Sequence, residues 1–210
     1  MQSGLMQTNW AEENLQTIRT LMERSAMYRR ALAPIVIFAG VMGILAAGAG
    51  LIFHFDSASE FGGLWLGTAG IVVIGAFFNT RRQAIKDGET LLSPPTRRVA
   101  QAMAPPLAAG LIMGLLFLWL WDDFGILLPF VWALFYGCAL HSAGFFMARG
   151  VRWFGWIYII LVPCALVALW IAVRMYKDLN PHWFMGFFFG VLHLAYGIYL
   201  YLTEKGKNAA

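Results

Sequence analysis

Six long apolar runs, at 32–54, 62–80, 104–121, 126–148, 152–174 and 183–203, occupy most of the chain. Each has about the twenty residues that an α-helix needs to cross the hydrocarbon core of a bilayer. No other feature restricts the fold as much. A segment in lipid has no water to satisfy its backbone, so only helices and closed barrels cross it, and uninterrupted runs of this length fit helices. With 60% hydrophobic and 12% charged residues in a chain of 210, little is left over for a separate soluble domain. The expected fold is therefore all-α: a polytopic membrane protein built as a bundle of six transmembrane helices, with a leader at 1–31, a membrane domain at 32–203 and a tail at 204–210.

The leader is charged and amphipathic. Over 8–32, Leu15, Ile18, Leu21, Met22 and Tyr28 recur at helical spacing among Glu12, Glu13, Arg19, Glu23, Arg24, Arg29 and Arg30, which predicts a helix lying on the membrane surface. The first apolar run begins too late and runs too long for a cleavable signal peptide, so it is expected to be a retained span. Orientation follows from the loops. The leader, the loop at 81–103, the loop around Arg149 and Arg152, and the tail hold every Lys and Arg except Arg174 and Lys177. The opposite side carries Asp56, Glu60, Asp122, Asp123 and Asp178. Positive-inside bias places both termini in the cytoplasm and the chain in the plasma (inner) membrane. An odd number of spans scrambles that pattern. The basic residues are thereby accounted for by topology, and no nucleic-acid partner is expected.

Packing signals are frequent. Gly63 with Gly67, Gly110 with Gly114, and Gly186 with Gly190 are GxxxG pairs, and Ala139 with Ala143 is the small-residue variant. Such faces suit neighbouring spans, a second copy of the chain or a membrane partner protein equally well. Trp65, Trp119, Trp121, Trp153, Trp156, Trp183 and Tyr201 fall near predicted span ends, as an interfacial aromatic belt requires. Pro105 and Pro106 suit the first turn of the third span, and Pro163 interrupts the fifth, freeing a carbonyl near Ile159.

Chemistry-bearing residues are few. No Asp, Glu, Lys or Arg falls in the middle of a run, which weakens an ion-coupled carrier, and no HExxH, P-loop, GxSxG or carboxylate cluster is present. The two cysteines, Cys138 and Cys164, lie within predicted spans and form no CxxC pair. His54, Asp56 and His182 converge on the same outer loops as a weak metal-site candidate. The parallel segments FYGCALHSAGFF and FFGVLHLAYGIY are more informative, because each sets a histidine inside an apolar run. His141 and His193 are offset by about 4.5 Å in depth on helices running the same way. Cys138, Ser142 and Tyr196 surround them.

Three readings fit this constellation. The histidines can form interhelical hydrogen bonds. They can line a pocket between the fourth and sixth spans for a lipophile such as a quinone, with Cys138, Ser142 and Tyr196 in its wall. Or they can ligate haem b on its two axial sides. The chain is expected to be a non-enzymatic partner or sensor subunit with a lipophilic pocket. The alternatives are a redox protein using His141 and His193, and a channel or carrier for a neutral solute. Protein purified from cells supplied with haem precursor that shows no Soret absorption removes the haem reading.

Overall fold

The computed structural model describes residues 32–86, 94–120, 126–175 and 180–208. All regular structure among them is helical. The helices are α1 (Leu32–Ile52), α2 (Ala58–Lys86), α3 (Pro94–Leu120), α4 (Leu128–Ala143) and α5 (Arg149–Met175). A last continuous helix, α6, is made of Pro181–Met185, a widened π-helical stretch Gly186–Val191, and Leu192–Asn208. The amphipathic leader helix expected at 8–32 lies outside the described residues, apart from its final position.

Among the described residues, five helices are long and apolar enough to cross a membrane: Leu32–Ile52, Ala58–Lys86, Thr96–Trp119, Arg149–Ile171 and Pro181–Thr203. Their outward surfaces are apolar. Val73 is 68% exposed, Ile112 58% and Val167 59%, and the most apolar window of α3 is only 11% buried. A water-soluble fold does not leave such a surface bare, whereas lipid covers it at no cost. The molecule is a helical membrane bundle.

The remaining helix, α4, differs from the expectation for 126–148. α4 has 16 residues, roughly 24 Å at helical rise, against a hydrocarbon core of roughly 30 Å. It stops at Ala143 because the chain turns at Gly144, whose N–H closes back on the Leu140 carbonyl while that of Phe145 reaches the Ser142 carbonyl. A Cβ on Gly144 would lie 2.5 Å from Cβ of Arg152, so the return of α5 is wrapped tightly round this corner. What α4 lacks in length it makes up in burial: Leu128, Ala133, Ala139 and Ala143 are completely enclosed. It is the central helix, packed most extensively on α5 and α3.

Glycines determine how closely the helices approach. On α1, Gly40, Gly43 and Gly50 face Leu194, Phe189 and His182 of α6, while Gly186 and Gly197 of α6 face Ala47 and Ile37. The pairs run in opposite directions, so α1 and α6 are antiparallel. Gly110 and Gly114 of α3 face Phe135 and Trp132 of α4, and Gly137 of α4 faces Tyr158 of α5. Successive helices therefore alternate in direction, and α6 closes back on α1. Gly63 and Gly67 have nothing within 4 Å, so that pair faces outward from the bundle.

Two further expectations change. α2 continues to Lys86 and α3 begins at Pro94, so the segment predicted as a loop over 81–103 is largely helical. Pro105 and Pro106 consequently sit well inside α3, where they deprive the carbonyls of Gln101 and Ala102 of intrahelical donors. Trp65, placed by sequence at an aromatic belt, is only 4% exposed and packs in the interior. Pro163 falls inside α5 on an exposed face.

The α4–α5 contact is the tightest test of this packing, because a Cβ on Gly155 would lie 2.5 Å from the backbone nitrogen of His141. Gly155→Ala is expected to lower stability by about 1–3 kcal/mol in reversible unfolding from mixed micelles, through overpacking. Gly67→Ala, with open space around it, is expected to leave the midpoint unchanged or raise it. Equal losses at the two positions would contradict the packing described.

Candidate functional site

His193 occupies the centre of an aromatic cage. The ring is 3% exposed and is surrounded by Tyr136 of α4, Phe154 and Tyr158 of α5, and Phe189 of its own helix, with ring centroids 5.3 to 6.0 Å away. His193 comes just after the π-helical stretch Gly186–Val191, which contains the Phe188 carbonyl, and π-turns of this kind recur at functional sites. Two groups use that carbonyl: the Tyr158 hydroxyl donates to it, and His193 Nδ1 lies 3.1 Å from it.

This arrangement determines which nitrogen carries the proton. An imidazolium would need a carboxylate beside it, and none of the described residues in contact with the ring carries one. A neutral imidazole has one N–H. Nδ1 faces two oxygens, the Phe188 carbonyl and Tyr158 Oη at 3.1 Å, and the Tyr158 hydrogen already points at the carbonyl. The N–H is therefore on Nδ1. Nε2 is left as an acceptor, and Tyr136 donates its hydroxyl to it over 2.7 Å.

The bond between Tyr136 and His193 lies in the wall of a cavity of about 330 Å³. Five helices contribute: Ala39 and Gly43 of α1, Trp65 to Val73 of α2, Met103 to Leu111 of α3, Trp132 to Tyr136 of α4, and Met185, Phe189 and His193 of α6. No ionisable side chain other than the imidazole and the phenol is in the lining. The exposed lining residues are apolar. Val73 of α2 and Leu107 and Leu111 of α3 are 68%, 41% and 45% exposed, and they mark a mouth that opens sideways from the bundle and not along its axis.

The residues singled out by sequence separate into two groups. Only His193 lines this cavity; His141, Cys138, Ser142 and Tyr196 do not. His141 points to the α5 side of α4, edge-on to Phe145 and Trp156 at 5.3 and 5.0 Å, with its Nδ1 buried and unpartnered. Tyr196 stacks on Phe154 at 4.3 Å, and its hydroxyl is buried against Gly150 without a hydrogen bond. His193 meets Tyr136, which stands five positions before His141 on α4. Among the described residues, neither a hydrogen bond nor a ring contact joins the two histidines.

Haem b does not fit these groups. Axial ligation by His193 requires one free ring nitrogen, and both are engaged, Nε2 by Tyr136 and Nδ1 by the Phe188 carbonyl. The outer-loop histidine is equally committed. His182 is fully buried; its Nδ1 accepts from Trp65 Nε1 at 3.1 Å, and its Nε2 donates to the Phe55 carbonyl at 3.0 Å. Asn180 caps the start of α6 and donates to Asp56 at 3.2 Å. These bonds tie the α1–α2 turn to α6, and among the described residues no group of three His, Cys, Asp or Glu could hold a metal ion.

Tyr136 and Tyr158, unremarked in the sequence, and Trp65, expected at the interface, are the partners of the two buried histidines. Tyr136 stands five positions before His141, in one of the two segments that drew notice, and a hydroxyl inside an apolar run was the available signal. No protein family model matches the chain, and neither does any curated protein or solved structure in the comparisons made.

The tautomer can be read directly. In nitrogen-15 spectra of histidine-labelled protein, His193 is expected to show a protonated Nδ1 and an unprotonated Nε2, and Tyr136→Phe is expected to move the Nε2 resonance alone by removing its donor. A proton on Nε2 would contradict the assignment.

Proposed function

We propose that this chain is a plasma-membrane protein that crosses the bilayer six times, with both termini cytoplasmic, and holds a small lipophilic molecule in the cavity beside His193. It works without catalysis, as a sensor or partner subunit whose bundle responds to what occupies that cavity. The observation that carries this reading is an apolar cavity of about 330 Å³ that contains one organised polar pair, Tyr136 and His193. Ligand sites have this composition: a mostly apolar wall with a few placed polar groups, at volumes from roughly 300 Å³ upward. The apolar mouth between α2 and α3 supports entry from lipid.

The span count rests on α4, which is short for a full crossing but lies inside the bundle, where protein and not lipid surrounds its ends. The basic residues at both ends of the chain, at the end of α2 (Arg81, Arg82 and Lys86) and at the start of α3 (Arg97 and Arg98) support the cytoplasmic placement of the termini.

An alkyl chain carrying a diazirine tests the pocket. Irradiated with the purified full-length protein, it is expected to label peptides containing Leu111, Trp132 or Tyr136 in a saturable way, above the uniform labelling of lipid-facing surfaces. Ala69→Phe is expected to abolish that component without unfolding the bundle, because Ala69 lines the cavity from an exposed position on α2. Labelling that never saturates, or that ignores Ala69→Phe, would overturn the proposal.

A further inference from the structure

Hydrogen-bond accounting around the cavity restricts the chemistry of its occupant. Five lining residues have a polar side-chain hydrogen: Trp65, Thr68, Trp132, Tyr136 and His193. Four of those hydrogens already have acceptors. Trp65 Nε1 donates to His182 Nδ1, Thr68 Oγ1 to the Leu64 carbonyl at 2.8 Å, His193 Nδ1 to the Phe188 carbonyl, and Tyr136 Oη to His193 Nε2. The fifth is turned away. Trp132 Nε1 is buried where a Cβ on Gly114 would lie 2.0 Å from it, and Gly114 is not part of the lining.

What remains on these side chains is lone pairs. Tyr136 Oη accepts nothing among the described residues, and a hydroxyl oxygen that donates once still has acceptor capacity. Thr68 Oγ1 has the same character. With neither a cation nor an anion in the lining, a charged headgroup finds no countercharge there.

We propose that the occupant is an uncharged lipophilic alcohol, an apolar body whose terminal hydroxyl donates to Tyr136 Oη. This rests on the reading that the cavity holds a lipophile, and adds the polarity of its head. A ligand with only a carbonyl would meet lone pair against lone pair. To bind it, Tyr136 would have to turn its hydrogen into the cavity, leaving His193 Nε2 buried without a donor, and stranding a buried polar group is the effect by which sites reject such ligands most strongly. The π-helical stretch acts here as a positioning element: by presenting the Phe188 carbonyl it holds the proton on Nδ1, which keeps Nε2 an acceptor and Tyr136 a donor towards it.

The experiment is a competition on the full-length protein, using the diazirine alkane as the reporter of cavity occupancy. Farnesol, farnesal and farnesyl methyl ether share one isoprenoid body and differ only in whether the head can donate. Farnesol is expected to displace the label at a concentration roughly tenfold lower than either analogue, about the worth of one well-placed hydrogen bond. Tyr136→Phe, if folded, is expected to abolish that advantage while the label itself still binds. Equal displacement by all three in the unmodified protein would overturn the alcohol and leave the pocket standing. An absence of saturable labelling would overturn both. The comparison in the unmodified protein decides the matter even where the variant does not fold.

Discussion

An imidazole enclosed in a membrane bundle must find partners for both of its nitrogens from the protein, because lipid supplies none. His193 meets that demand with three groups from three helices: the Tyr136 hydroxyl from α4, the Tyr158 hydroxyl from α5, and the Phe188 carbonyl of α6 itself. The last of these lies in the stretch Gly186–Val191, where α6 widens. The local irregularity, the pairing of α6 with α4 and α5, and the polarity of the cavity wall are thus one arrangement, and losing any member leaves a buried polar atom unsatisfied.

Close helix approach makes the arrangement reachable. Side chains as short as a histidine and a tyrosine meet across two helices only where backbones come near, and the glycines of α1 and α6 bring those helices together along their length. Gly137 and Gly155 do the same for α4 and α5. Beside these close approaches the cavity lies between α2 and α3 on one side and α1, α4 and α6 on the other, with His193 in its wall.

Much of this was legible in the chain. Apolar runs of about twenty residues announce the helices, and a histidine inside such a run announces a buried polar side chain, as His193 is. His141 shows where that reasoning stops: the same Leu-His-x-Ala pattern sits on a face of α4 turned to Trp156 and Phe145, since helix rotation is decided by the packing of all neighbours at once. His182 precedes the apolar run at 183–203 and so reads as a loop residue, yet it is wholly enclosed between Trp65 and the Phe55 carbonyl. The π-helical stretch left no trace in GFFFGV that periodicity could detect. Helix ends were displaced for a related reason, since α2 and α3 continue past their apolar cores into polar sequence that water, and not lipid, can solvate.

Whether the cavity beside His193 is a ligand site or only space between helices is tested most directly by native mass spectrometry of the full-length protein, released from membranes without added lipophile. If it is a site, the chain carries one neutral, lipophilic adduct with an exchangeable hydroxyl hydrogen, and the adduct is lost on Ala69→Phe. A chain that emerges bare, or with adducts indifferent to that substitution, would contradict a ligand site.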